Sequence, residues 1–127
     1  MFAAGRYAIL GSTNEPINRD LKKRDRMANI IDDNINATNQ SFLYFLHEEN
    51  KFDQKSILNL CNYVQTLDSV TIRELRNLYF IQNQIIKHIA YHFDKNDMYE
   101  ISNLPSDYWE YIELLDIAID GLKDITI

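Results

Sequence analysis

The chain of 127 residues is poor in residues that break or cross-link a backbone, with three glycines, two prolines and a single cysteine, Cys61. One cysteine excludes an intramolecular disulfide, and with it the stapled class of small domains. Gly5, Gly11, Gly121, Pro16 and Pro105 all lie toward the ends, so residues 17–104 contain neither glycine nor proline. A multi-turn β fold needs those residues at its turns, and their absence favours long helices. Also missing is any apolar run near the ~20 residues that a membrane span requires. The opening MFAAGRYAILGS carries Arg6 inside an apolar stretch too short for a secretory signal. A cytoplasmic protein with no membrane association is expected. The Asn-x-Ser/Thr triplets at Asn36 and Asn39 then read as chance matches in an asparagine-rich chain rather than as glycan acceptors.

What is present suits one globular domain, since 46% of the residues are hydrophobic and 25% charged, and a chain of this length buries roughly two-thirds of its unfolded surface. The net charge of −6 is unevenly spread. Residues 1–30 carry Arg6, Arg19, Lys22, Lys23, Arg24 and Arg26 against Glu15, Asp20 and Asp25, a balance of +3. Residues 94–127 carry only Lys95 and Lys123 against six Asp and three Glu, a balance of −7. Such polarity suits a partner of one sign at each end, or a meeting of the two ends within the fold or between subunits of a homodimer. Two ordinary solvated faces would look the same.

Hydrophobic periodicity predicts an all-α domain of four, or with one split five, helices packed as a bundle over residues 16–127, preceded by an N-terminal arm at 1–15. The first helix is expected from about residue 16, where Pro16 suits a first turn, to 48, with a break near Ala37 and Thr38. Its core stripe is Met27, Ile31, Ile35, Thr38, Phe42, Phe45 and Leu46. After a turn at Glu48–Lys51, Asp53 caps a second helix whose Ile57, Leu58, Cys61, Val64 and Leu67 point inward. With no base beside it in sequence, Cys61 reads as a core residue rather than a reactive thiol. Thr71-Ile72-Arg73-Glu74 matches the capping box, announcing a third helix to about Phe93. Its inward residues are Leu75, Leu78, Ile81, Ile85, Ile86, Ile89 and Phe93, with Gln82 among them as either an interhelical contact or a slot for a partner. A last helix is expected over about 105–124, headed by Pro105.

That last helix carries the sharpest pattern. Glu110, Glu113, Asp116, Asp120 and Asp124 fall on one face with Trp109 and Ile117 set among them, while Tyr111, Ile112, Leu114, Leu115, Ala118, Ile119, Leu122 and Ile125 fill the other. An aromatic anchor ringed by carboxylates suits an interface with a basic partner. The third helix presents Arg73, Arg76 and Lys87 with Phe80 and Tyr91, an interleaving that nucleic-acid surfaces use. Together with the turn Thr66–Ser69 and the run Lys22, Lys23, Arg24 and Arg26, this loosely resembles a helix-turn-helix layout, against the net acidity of the molecule. His88 and His92 stand four apart, a spacing that can share a metal, but no third ligand is identifiable and no metal is assigned. Asp32, Asp33, Glu48 and Glu49 could supply an acid–base pair, yet adjacent carboxylates on a helix diverge.

Phosphate loops, nucleophile elbows and kinase motifs are absent, so no catalytic residue and no cofactor are assigned. The expectation is a non-catalytic, acidic binding protein that inhibits a basic partner such as a toxin or nuclease, in the manner of an immunity protein, an antitoxin or a phage-encoded inhibitor. The competing expectations are a DNA-binding regulator using Arg73, Arg76 and the basic first helix, and a metal-dependent enzyme or sensor using His88 and His92.

Overall fold

A computed structural model describes residues 30–126. The N-terminal arm at 1–15 and the basic run Lys22–Arg26 therefore lie outside the described residues. The described part is mostly helical, with a single two-stranded β pair. Helix α1 covers 30–36. Helix α2 opens at Phe42–Tyr44 and continues as a π-helical turn, Phe45–Glu49. It is followed by α3 (Gln54–Gln65), strand β1 (Val70–Thr71), α4 (Ile72–Phe93), α5 (Tyr108–Asp120) and strand β2 (Ile125–Thr126).

The break expected near Ala37 is a sharp corner with a defined mechanism. Thr38 N–H donates to Asp33 O at 2.9 Å and Ala37 N–H to Asn34 O at 3.2 Å, the two bonds of a Schellman ending. Ala37 occupies its left-handed position at φ 53, where glycine is usual, and Asn39 and Gln40 are left-handed as well. Ser41 restarts the helix by accepting from Tyr44 N–H at 3.2 Å. Across the corner lies Asn34, 1% exposed. Its Nδ2 donates to Ile30 O at 2.8 Å and its Oδ1 accepts from Leu43 N–H at 3.0 Å, so one amide ties the end of α1 to the start of α2.

The core gathers Ile31 from α1, Phe42, Leu43 and Leu46 from α2, Ile57, Leu60, Cys61, Tyr63 and Val64 from α3, and Leu78, Ile81, Ile85 and Ile89 from α4. Leu115, Ala118 and Ile119 of α5 close it. Phe52 and Ile101, both in loops, are buried too. Phe52 meets Phe42 edge-on at 4.9 Å and Tyr111 at 5.4 Å. Its backbone is held by the Asn103 side chain, which accepts from Phe52 N–H at 2.7 Å and donates to Phe52 O at 3.2 Å. Tyr99 O–H donates to Leu46 O at 2.6 Å, satisfying a carbonyl of the π turn. Two polar side chains thus dock the long 94–107 connection, Tyr99 onto α2 and Asn103 onto the α2–α3 loop.

The capping box at Thr71 is complete, with Thr71 N–H donating to Glu74 Oε1 at 2.9 Å and Glu74 N–H to Thr71 Oγ1 at 3.0 Å. Asp53 caps α3 through Ser56 N–H at 2.9 Å. Helix α4 ends at Phe93 as the periodicity predicts. The last helix is shorter than expected. It starts at Tyr108 rather than Pro105, whose carbonyl accepts from Tyr108 N–H in a preceding turn, and it ends at Asp120 with Gly121 as its C-cap. Beyond it the chain turns extended, and Ile125–Thr126 pairs in parallel with Val70–Thr71, in the register Val70↔Ile125. No strand was expected there. The pairing is long-range, and two residues are too few to show a period.

Six inward assignments are corrected. Leu58, Ile86, Phe93 and Leu114 are exposed, as are Thr38 at the corner and Ile125, which lies in β2 beyond the helix. Each of the first four sits at the edge of its stripe, where a phase error of one residue, ~100°, moves a side chain from core to surface. On α3 the buried stripe extends instead to the opposite edge, through Leu60 and Tyr63.

Candidate functional site

Helix α5 packs on α3 and α4 through Leu115, Ala118 and Ile119. It runs antiparallel to α4, because Phe93 meets Tyr108 at one end (5.6 Å between rings), Gln82 Nε2 donates to Asp116 Oδ1 at 2.9 Å midway, and Val70 pairs with Ile125 at the other. Gln82 is therefore a polar contact between helices, one of the two roles expected for it.

This packing turns Trp109, Glu110, Glu113, Asp116, Ile117 and Asp120 to the surface. Trp109 and Ile117 are 54% and 57% exposed. Asp124 lies past the helix, where its carbonyl accepts from Val70 N–H at 2.9 Å. It thus belongs to the extended tail and not to the helical arc. Among the described residues the ion pairs are His47–Glu48 at 3.6 Å and Lys51–Glu49 at 3.7 Å, so none involves the arc.

The arrangement works against the stability of α5. Glu110–Glu113, Glu113–Asp116 and Asp116–Asp120 are like-charge neighbours three or four apart, each costing about 0.2–0.5 kcal/mol in a helix. Asp120 also stands in the last turn, where the helix dipole disfavours an anion by about 0.3–1 kcal/mol and no basic residue compensates, whereas Glu110 in the first turn is favoured by the same dipole.

The second surface lies on the far side of α4. Ile35, Arg73, Arg76, Asn77 and Phe80 line an open groove of about 320 Å³. Its cations and Phe80 are exposed, as expected. Lys87 and Tyr91 are exposed farther along the helix. The turn before α4 does not run freely into it as in a helix-turn-helix unit, since β1 intervenes and is tied to the C-terminal strand.

His88 and His92 are not arranged as a metal pair. His88 Nδ1 lies 2.6 Å from Gln84 O, and its ring stacks edge-on with Tyr99 at 5.3 Å and Tyr91 at 6.0 Å. His92 Nδ1 accepts from Ile101 N–H at 2.9 Å, which places its proton on Nε2 and leaves no lone pair there for a metal. Among the described residues no three His, Cys, Asp or Glu side chains converge as ligands. The four carboxylates considered as acid and base have local roles or solvent. Asp33 accepts from Asn39 at 2.8 Å, Glu48 and Glu49 meet His47 and Lys51, and Asp32 is exposed. Burial pushes the Cys61 thiol up to about 11, the behaviour of an inert core residue. Burial likewise raises the Tyr99 phenol to about 12. Tyr63 is raised first by burial and then by the charges of Glu74 and Asp32.

No family model matches this chain, and neither a curated protein nor a solved structure matches it significantly. Among the described residues no helix is long and apolar enough to cross a membrane.

One surface escaped the sequence reading altogether. Ile72, Tyr79, Ile86 and Phe93 form an exposed row along α4. Their recurrence every seven residues is visible in sequence, but helical periodicity assigns Ile86 and Phe93 to the core stripe.

Proposed function

We propose that this chain is a non-catalytic binding protein that inhibits a basic macromolecule, in the manner of an immunity protein, an antitoxin or a phage-encoded inhibitor. The carboxylates Glu110, Glu113, Asp116 and Asp120, extended by Asp124, cover the cationic cleft of a toxin or nuclease, and Trp109 and Ile117 anchor the contact. The observation that carries the reading is the exposure of Trp109 and Ile117 inside an arc of carboxylates that destabilises its own helix. Steering by such an arc speeds encounter with a basic surface and falls with ionic strength. Desolvated aromatic anchors supply affinity.

The test is a binding titration against a basic toxin nuclease, at low and at physiological salt. The expected result is nuclease inhibition that weakens as salt rises, and weakens again in Asp116→Lys/Asp120→Lys and in Trp109→Ala. Inhibition indifferent to both salt and charge reversal removes the acidic face from the reading.

A second reading, a nucleic-acid-binding regulator, is favoured by the groove between Ile35 and the Arg73, Arg76 and Phe80 side chains. Lys87 and the run Lys22, Lys23, Arg24 and Arg26 would add phosphate contacts. A mobility-shift assay at about 50 mM salt decides it, because a protein resting on a few phosphate contacts binds there if anywhere.

A further inference from the structure

Ile72, Tyr79, Ile86 and Phe93 each retain between 45% and 57% of their accessible surface. A spacing of seven along a helix of 22 residues is that of one of the two rows of a coiled-coil seam, a row whose side chains stay facing a second helix over the whole length. Among the described residues no helix covers Ile72, Tyr79 or Ile86, while Phe93, still exposed, meets the Tyr108 ring of α5 with its inner edge. Its two borders differ in sign. On one side Gln82, which neighbours both Tyr79 and Ile86 on the helix surface, holds Asp116 of α5 at 2.9 Å. That contact places the α5 row Trp109, Glu113, Asp116 and Asp120 along this border. On the other side stand Arg76, next to Ile72 and Tyr79, and one row further round Lys87, both exposed. Neither takes part in an ion pair among the described residues.

A face that is apolar along its centre, anionic on one border and cationic on the other does not suit a uniformly basic helix, which would meet Arg76 and Lys87. It is complementary to itself when turned by a two-fold axis parallel to α4, since that operation lays the anionic border of each copy on the cationic border of the other. The antiparallel alternative lays carboxylates on carboxylates. We propose that this face binds a second copy of the chain, with the two α4 helices parallel and in register along Ile72, Tyr79, Ile86 and Phe93. The antiparallel packing of α5 on α4 sets the charge pairs. Glu113 lies near the level of Ile86 and faces Lys87 of the partner subunit, and Asp120, one turn beyond Asp116, faces Arg76 of the partner subunit. Glu110 and Ile117 point away from the seam. The proposal does not depend on the inhibitor reading, and a monomer would leave that reading standing, but the dimer takes up Glu113 and Asp120, so a basic partner would compete with it for those two carboxylates.

The experiment is sedimentation equilibrium of the full chain over a wide concentration range. Wild type is expected to approach twice its 15.0 kDa mass. Ile86→Asp, at an exposed position that leaves the fold intact by circular dichroism, is expected to weaken the dimer at least about thirtyfold, as loss of a central interface residue does. Glu113→Lys and Lys87→Glu are each expected to weaken it about two- to tenfold, and the double variant to recover most of the loss. Phe93→Cys is expected to cross-link to itself under mild oxidation, because in parallel register the two copies of that residue face one another, whereas buried Cys61 does not cross-link. A mass of 15.0 kDa at every concentration overturns the proposal. So does a dimer indifferent to Ile86→Asp, a dimer in which Phe93→Cys fails to cross-link, or a reversed pair that does not recover. A monomer whose Trp109 fluorescence responds to a cationic amphipathic helical peptide also overturns it, by giving the row to a foreign helix.

Discussion

Asn34 is the most informative single position in the fold, because one buried amide closes the corner between α1 and α2. Removing it in Asn34→Ala leaves Leu43 N–H, one of the donors at the start of α2, with no acceptor, at a cost of about 1–3 kcal/mol. The bond to Ile30 O is lost as well, worth about 0.5–1.5 kcal/mol. A total of about 1.5–4.5 kcal/mol corresponds to a fall in Tm of roughly 6–18 °C for a domain of this size. Urea unfolding followed by circular dichroism measures it, with an unchanged m-value as the sign that only stability moved. Ser41→Ala, which removes the neighbouring cap, sets the scale at about 1 kcal/mol. Asn34→Asp adds a pH test. A neutral carboxyl can still accept from Leu43 N–H and donate to Ile30 O, whereas a carboxylate is buried against that carbonyl. Its folded pKa is therefore raised, so relative to wild type this variant is most stable below the unfolded value of about 3.9 and loses stability as pH rises through its folded pKa. If Asn34→Ala costs less than Ser41→Ala, the amide is not what holds the corner and the argument fails.

Three further outcomes follow from the same coordinates. Ala37→Gly relieves a left-handed alanine at φ 53 and is expected to raise stability by about 0.5–1 kcal/mol after the extra backbone entropy of glycine, read as an upward shift in the urea midpoint; a downward shift contradicts the Schellman assignment. Cys61, raised from 9.0 to about 11, and Tyr99, raised from 10.0 to about 12, release their protons later in the folded than in the unfolded chain. Their contribution is complete below pH 9 and is lost as pH climbs from about 9 to 12, so the urea midpoint should fall between pH 8 and 10.5 and fall less in Cys61→Ala, while iodoacetamide should label the native thiol only as fast as the protein opens. Asp120→Lys is expected to stabilise the monomer by about 0.3–1 kcal/mol, measured at concentrations too low for dimerisation, since it replaces an anion by a cation at the C-terminal end of α5, and the same change is expected to weaken binding of any basic partner. A loss of stability would mean that the carboxylate has a structural contact.

The helical class, the capping box at Thr71, the Asp53 cap, the break at Ala37 and the end of α4 at Phe93 were all legible in sequence. Each rests on interactions between residues a few positions apart, where residue type and spacing carry the physics. The burial of Leu60 and Tyr63 and the exposure of Ile86 and Phe93 were not, because a helix stripe is wider than its partner and only the neighbouring helix determines which edge is covered. The docking of Asn103 on Phe52, of Tyr99 on Leu46 and of Ile125 on Val70 joins residues about fifty apart, and no local pattern signals it.

The candidate surfaces divide along the same line. Phasing alone placed Trp109, Ile117 and the carboxylates together on one face of the last helix, because a single helix determines which of its own residues share a side. Tertiary structure decided what that face borders. By bonding Gln82 to Asp116 it set the acidic row beside the heptad row of α4, with the cations beyond, and it took Asp124 off the helix and gave His92 to Ile101. Composition and period specify elements and their faces. Which faces meet, and which are left uncovered, depends on contacts between distant segments that no window of the sequence contains.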